Sequence, residues 1–252
     1  DVSVDEAANE LACDMYRTQV GRVIQDPETA DALMPRDYPM GCKRPVIDTN
    51  YYETFNRENV TLVDLRKGGI DRITAQGVST AQGEHAFDVL VYATGFDAMT
   101  GALGKIDIRG RDDVALTDYW EAGPRTYLGL QVAGFPNLFT VTGPGSPSVL
   151  SNMIVSIEQH IDWIAQCIAD LDQRGAKTIE ATSAAEDAWI AHVNEVAENT
   201  MFTAQSCNSW YLGANIPGKP RIFMPYVGGV GVYREKCDEV AKNDYKGFLL
   251  QA

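Results

Sequence analysis

Residues 135–160 read FPNLFTVTGPGSPSVLSNMIVSIEQH. Asn137 to Gly143 (NLFTVTG) is a short, largely apolar run ending in glycine, the pattern of a strand. Beyond Gly143 and Gly145 the period changes. Ile154, Ile157, Ile161, Ile164, Ile168 and Leu171 recur at helical spacing, with Ser148 or Ser151 available as N-cap and Gly175 as stop. A strand passing through a glycine turn into a long helix, with other strands elsewhere in the chain, places the protein in the α/β class. The sheet is incomplete as counted along the sequence.

Upstream, VTLVDL (Val60 to Leu65), IDRITAQG (Ile70 to Gly77) and FDVLVYATG (Phe87 to Gly95) are predicted strands, rich in β-branched residues and bounded by glycine. Val89 to Tyr92 are continuously apolar, as in a strand covered on both faces of a parallel or mixed sheet. Near the N-terminus, Ala8, Leu11, Ala12, Met15 and Tyr16 predict an amphipathic helix over about Val4 to Val20. Asp26 to Pro45 carries Pro27, Pro35, Pro39, Gly41 and Pro45 and is predicted to be an irregular connector. Past the long helix, Trp189, Val193 and Val196 predict a second one over roughly Ala184 to Glu198. The loop NSWYLGANIPGKPR (Asn208 to Arg221) and a strand-loop-helix tail follow.

The 252 residues, 45% hydrophobic and 22% charged, can bury a sizeable core. A net charge of -14 offers nothing to neutralise a phosphate backbone and argues against a nucleic-acid partner. No apolar run is long enough for a membrane span, and the first residues, DVSVDEAANE, are acidic rather than a basic region followed by an apolar stretch. Cys13, Cys42, Cys167, Cys207 and Cys237 include no CxxC pair, which suggests neither a disulfide framework nor a zinc knuckle and fits a reducing cytoplasm. Three histidines, His85, His160 and His192, are too few and too far apart to suggest a metal cluster. The chain starts at Asp1 without a methionine, so it reads as a cut through a longer polypeptide or as a processed product.

Four strings carry candidate chemistry. In GCKRP (Gly41 to Pro45), Lys43 and Arg44 sit between a glycine and a proline that stiffen the backbone. Such a pair is more often a solvated surface feature. In a site, the planar, permanently charged guanidinium suits an anionic oxygen, and the compact ammonium suits a phosphate. In FDVLVYATGFDAMTGAL (Phe87 to Leu103) small residues end a strand, where α/β folds bind cofactors in crevices. In GPGSPSVLSNM the turn leads into a helix whose N–H groups suit an electron-rich oxygen, with Met153 on the first turn as core filling or cofactor contact. In NSWYLGANIPGKP, Trp210 offers an N–H donor and a flat apolar face to a nucleotide, or simply anchors the loop.

Together with YYETFNRENV, AGPRTYLGL, GFPNLF, SIEQH and KGF, all in order from about Pro35 to the end, these strings resemble the C-terminal half of flavin-dependent Baeyer–Villiger monooxygenases, the class of cyclohexanone, phenylacetone and steroid monooxygenases. The resemblance implies the C-terminal part of a fold with two dinucleotide-binding domains, one for FAD and one for NADPH. Residues 1–37 would end a helical insertion, 38–92 would close the NADPH domain, and 93–252 would form the second half of the FAD domain with a mobile NADP-clasping loop near 204–220. NADPH reduces the flavin in that class, oxygen adds to give a flavin peroxide, and the peroxide converts a ketone to an ester or lactone. Arg44 then corresponds to the catalytic arginine, Cys42 and Lys43 to NADP contacts, Met153 to a flavin contact, and Trp210 to the residue that clasps NADP.

The sequence contains no GxGxxG loop for either cofactor. The chain is therefore expected to need a missing N-terminal half, and to be colourless and inactive alone. Two other readings stand beside this one. A heteroatom-oxidising flavin monooxygenase shares the ATG strand end but is not expected to carry the Lys-Arg pair or the SWYLGAN loop. A non-catalytic module derived from such an enzyme is the second.

Overall fold

The computed structural model describes all residues, Asp1–Ala252, and divides them into two compact units, Asp1–Gly95 and Phe96–Ala252.

In the first unit, helix α1 (Glu6–Val23) starts where Asp5 accepts a bond from Ala8 N at 2.7 Å. Its buried face is Asn9, Cys13 and Val20, whereas Leu11 and Met15 of the predicted apolar stripe point to solvent. The predicted connector after it is not wholly irregular, since Pro27–Leu33 forms helix α2. Pro27 opens that helix rather than breaking it, because the first turn has no use for its missing N–H, and Asp26 caps Thr29 N at 2.8 Å. Val20, Ile24 and Ala30 close a small core with Leu33, Met34 and Tyr52, the last from the short helix α3 (Tyr51–Thr54).

The sheet of this unit is an antiparallel meander of β1 (Ile70–Ile73), β2 (Gly77–Thr80) and β3 (Gly83–Ala86). Two predicted strands are not formed. Val60 to Leu65 ends instead in a 3₁₀ turn, Leu65–Lys67, capped by Asp64. Phe87 to Gly95 joins no ladder, and Val89 and Val91 are 76% and 78% exposed. A continuously apolar run needs neighbours on both edges and both faces, and past Phe87, whose N–H donates to Gln76 O at 2.9 Å, this one joins no strand.

The second unit has the larger core, built around Leu128, Leu130, Trp163, Cys167, Ile179, Trp189, Tyr233 and Cys237. Helices α5 (Met153–Arg174), α6 (Ser183–Glu198) and α7 (Val230–Lys242) surround it, and β4 (Thr178–Ala181) pairs antiparallel with β5 (Phe248–Gln251). The short helix α4 (Leu116–Tyr119) belongs to a satellite core with Trp120, Val132 and Phe135. The sheets are therefore small and antiparallel, and NLFTVTG contributes only an isolated bridge, Gln131 to Phe139, instead of a strand.

Helix α5 is formed and stops at Gly175, which adopts the left-handed conformation at φ 68°, but its cap is Asn152 and not Ser148 or Ser151. It is also turned relative to expectation. Ser156, His160, Trp163, Cys167 and Leu171 are buried, while Ile154, Ile161 and Ile168 are 62%, 50% and 53% exposed. The two spacings are equally helical. Polar Ser156 and His160 can face inward because each has a partner there: Ser151 Oγ at 2.6 Å for the first, Thr142 N and Tyr233 for the second. No helix is long and apolar enough to cross a membrane.

Candidate functional site

The Lys-Arg loop belongs to the first unit. Gly41 takes φ 86°, Cys42 is buried, and Lys43 and Arg44 are exposed. The Lys43 ammonium stands 4.3 Å from the centroid of the Tyr38 ring, a cation–π contact. Both cations line a cavity of about 220 Å³ with Cys13, Tyr16, Tyr38 and Tyr52. The Tyr16 and Tyr52 hydroxyls are hydrogen-bonded to each other, and burial followed by that bond pushes the Tyr52 phenol well above its ordinary range. Tyr52 is thus a neutral hydroxyl at working pH.

Asn9 fixes this loop to α1 and was not singled out by the sequence. Its amide donates to Met40 O and accepts from Met40 N, both at 2.9 Å, and also donates to Val2 O. An asparagine on a helix face gives no sign of this, because its partner lies 31 residues away.

In the second unit the glycine turn before α5 is tightly held. Gly145 N donates to Met224 O at 2.6 Å, Trp189 Nε1 donates to Gly145 O at 3.0 Å, and Tyr226 N donates to Ser146 O at 2.8 Å. From the TYLGL string, Thr126 Oγ donates to Pro144 O. Gly129, at φ 71°, lies so close that a Cβ there would sit 2.7 Å from Ser146 N. Gly129→Ala is therefore expected to destabilise the unit by about 3 kcal/mol, read as a lowered urea midpoint at unchanged slope.

Two predicted strings converge at the start of α5. Ser148, from the turn, places its hydroxyl 3.5 Å from Met99 Sδ and 3.9 Å from Met153 Sδ, so the ATGFDAMTGAL and GPGSPSVLSNM segments meet at a pair of thioethers. Trp210 is half-buried in the 3₁₀ turn Trp210–Leu212, its ring edge-on to Tyr211 with centroids 4.6 Å apart. Lys219 pairs with Asp97, and Asn215 donates to Phe96 O at 3.3 Å, so this loop is tied to the same ATGFD segment. Cys42, Lys43 and Arg44 thus share one loop of the first unit, while Met153 and Trp210 occupy separate elements of the second.

Glu186, on α6, was also missed by the sequence. Its fully buried carboxylate accepts from Tyr119 Oη at 2.7 Å and Ala133 N at 3.0 Å, and pairs with Arg125 Nε at 3.2 Å. Cys13, Cys167 and Cys237 are free and buried, and burial pushes the thiols of Cys167 and Cys237 up to about 11 and about 12. Such thiols are poor nucleophiles at neutral pH.

No protein-family model matches the chain. Individual proteins do. It is 44% identical over 248 residues to an acetone monooxygenase (methyl acetate-forming) of Gordonia sp. strain TY-5, covering 98% of the chain and 46% of that protein. It is 43% identical to a phenazine N-monooxygenase of Lysobacter antibioticus, over 100% of the chain and 46% of the relative. A cyclohexanone 1,2-monooxygenase of Acinetobacter sp. is 38% identical over 100% and 45%. Among solved structures, an oxidised steroid monooxygenase bound to NADP superposes with a TM-score of 0.91 at 49% identity, over 100% of this chain and 47% of that one. A cyclohexanone monooxygenase from Rhodococcus sp. Phi1 bound to NADP+ gives 0.94 at 42% identity, over 100% and 46%. The chain thus spans about half the length of the relatives it matches. In its ordered motifs and its backbone alike, the chain corresponds to a C-terminal portion of the Baeyer–Villiger monooxygenases to which it is similar.

Proposed function

We propose that the polypeptide containing this chain oxygenates ketones to esters or lactones with NADPH, molecular oxygen and FAD. The observation that carries this reading is the match of the whole chain to ketone monooxygenases, with the Lys43–Arg44 loop presenting an exposed guanidinium. FAD, when bound, supplies the redox chemistry that passes electrons from NADPH to oxygen. Arg44 stabilises the negative charge that develops on oxygen as the carbonyl is attacked, and Lys43 and Cys42 contact NADP, the ammonium facing its ribose phosphate.

The start of α5 fits a flavin carbonyl. The Ile154 N–H is taken by Asn152 Oδ1 at 3.0 Å, which leaves those of Met153 and Val155 without an acceptor inside the helix. The thioether of Met153 completes that contact. The phosphate cradles come from polypeptide outside these residues, which also covers the exposed Val89 to Tyr92 run and the Ile154, Ile161 and Ile168 row. On this assignment residues 1–37 end a helical insertion, 38–92 close the NADPH domain, 93–252 belong to the FAD domain, and the enzyme works in the cytoplasm, where NADPH is supplied.

Incubating that polypeptide with NADPH and a cyclic ketone should yield the lactone; NADPH consumption without any oxygenated product from a panel of ketones would remove the assignment. N-oxidation is the second reading, favoured by the equally similar phenazine N-monooxygenase. An aza-aromatic substrate converted to its N-oxide in preference to any ketone would select it. Trp210 clasps NADP in either case. Trp210→Ala is expected to raise the KM for NADPH about tenfold, because an indole face and an N–H donor are lost. An unchanged KM in steady-state kinetics would separate Trp210 from the nucleotide.

A further inference from the structure

Two turns into α5, His160 is fully buried, and its ring nitrogens are both engaged. Thr142 N–H donates to Nδ1 at 2.9 Å, so the neutral ring carries its proton on Nε2. That proton is directed to Tyr233 Oη at 3.0 Å, and the Tyr233 hydroxyl in turn donates to Leu128 O at 2.6 Å. Both ends of this chain of bonds are backbone in the left-handed region, Thr142 at φ 53° and Leu128 at φ 59°, where residues with a side chain rarely sit. Burial holds the imidazole down at about 4, so it stays neutral, and it holds the Tyr233 phenol well above its ordinary range.

We propose that His160, acting with Tyr233, is the positioning residue that holds the Thr142–Ser146 turn in its strained shape and so aims the start of α5 at the flavin. The flavin end of this inference rests on the function proposed above. The bond network itself does not. Thr142 immediately precedes Gly143, whose added Cβ would lie 2.6 Å from Gly129 O, so the turn has no slack in which to compensate if Thr142 relaxes. The relay therefore joins α5 and α7 to Thr142 at the entry of the glycine turn and to Leu128 O on the neighbouring segment.

The test uses the complete polypeptide loaded with FAD. His160→Asn keeps an acceptor near the Nδ1 position for Thr142 N and loses Tyr233, whereas His160→Leu loses both. We expect His160→Leu to form about fivefold less oxygenated product per NADPH consumed and to change the visible circular dichroism of the bound flavin at unchanged FAD content. His160→Asn should recover most of both. Native coupling and native dichroism in His160→Leu, or equal losses in the two variants, overturns the proposal. Should His160→Leu fail to fold, the imidazole nitrogen resonances of the native protein decide. A neutral Nε2–H ring unchanged from pH about 8 to about 5.5 is expected; an Nδ1–H ring, or titration near about 6.5, overturns it. Dichroism and resonances are independent of the substrate oxygenated, so failure of the relay is distinguishable from failure of the proposed reaction.

Discussion

Replacing Arg44 by alanine in the complete polypeptide should leave NADPH oxidation within about twofold of native while lowering ester formation by about 10²- to 10³-fold. The two effects separate because the negative charge left by hydride transfer is spread over the flavin ring, whereas attack on a carbonyl concentrates negative charge on one oxygen, which a guanidinium stabilises. Lysine at the same position is a poor substitute, since its point charge lacks the planar fork. Arg44 lies on an exposed segment beside Gly41, so alanine costs the fold little. NADPH absorbance and chromatographic ester yield, measured in one reaction, give both rates. Ester formation close to native in that variant would strip Arg44 of the role.

Glu186→Ala is expected to cost about 3 kcal/mol of stability, the largest effect of any single substitution outside the glycine turn. The buried carboxylate collects three donors from separate segments, and its removal orphans the Ala133 N–H and the Tyr119 hydroxyl in a dry environment. Arg125 loses less, because its guanidinium is about a third exposed and keeps its other pairing, with Asp187. Glutamine should recover part of the loss by accepting one of the two neutral bonds. Chemical denaturation of the three proteins checks the order, and an alanine variant as stable as native would show that the donors find other acceptors.

Local chemistry was legible in the sequence wherever its cause is local. Gly175 as the stop of α5 needs only a backbone that a glycine adopts readily, and the existence of α1, α5 and α6 needs only a repeat. Which face of a helix turns inward was not legible. The isoleucine row of α5 and the Leu11–Met15 side of α1 were the apolar choice, yet Ser156, His160 and Asn9 went inside because distant partners satisfy them. The strands Gly77–Thr80 and Gly83–Ala86 were hidden because VSTAQGEHA has little apolar alternation, and their stability lies in pairing with one another. Val89 to Tyr92 shows the converse, a strong strand signal that joins no sheet. Of the site, the cations were visible as residue types in a stiff loop. Asn9, which ties that loop to α1, and Glu186, which collects Tyr119, Ala133 and Arg125, were not.

The paired bonds between Asn9 and Met40 make the first helix a lever for the cation four positions further along. Because amide and peptide grip each other at both donor and acceptor, swinging or sliding that helix carries the backbone leading to Arg44 with it. Substitutions on the outer side of the helix, remote from any cofactor, thereby acquire a means of steering where the charge arrives.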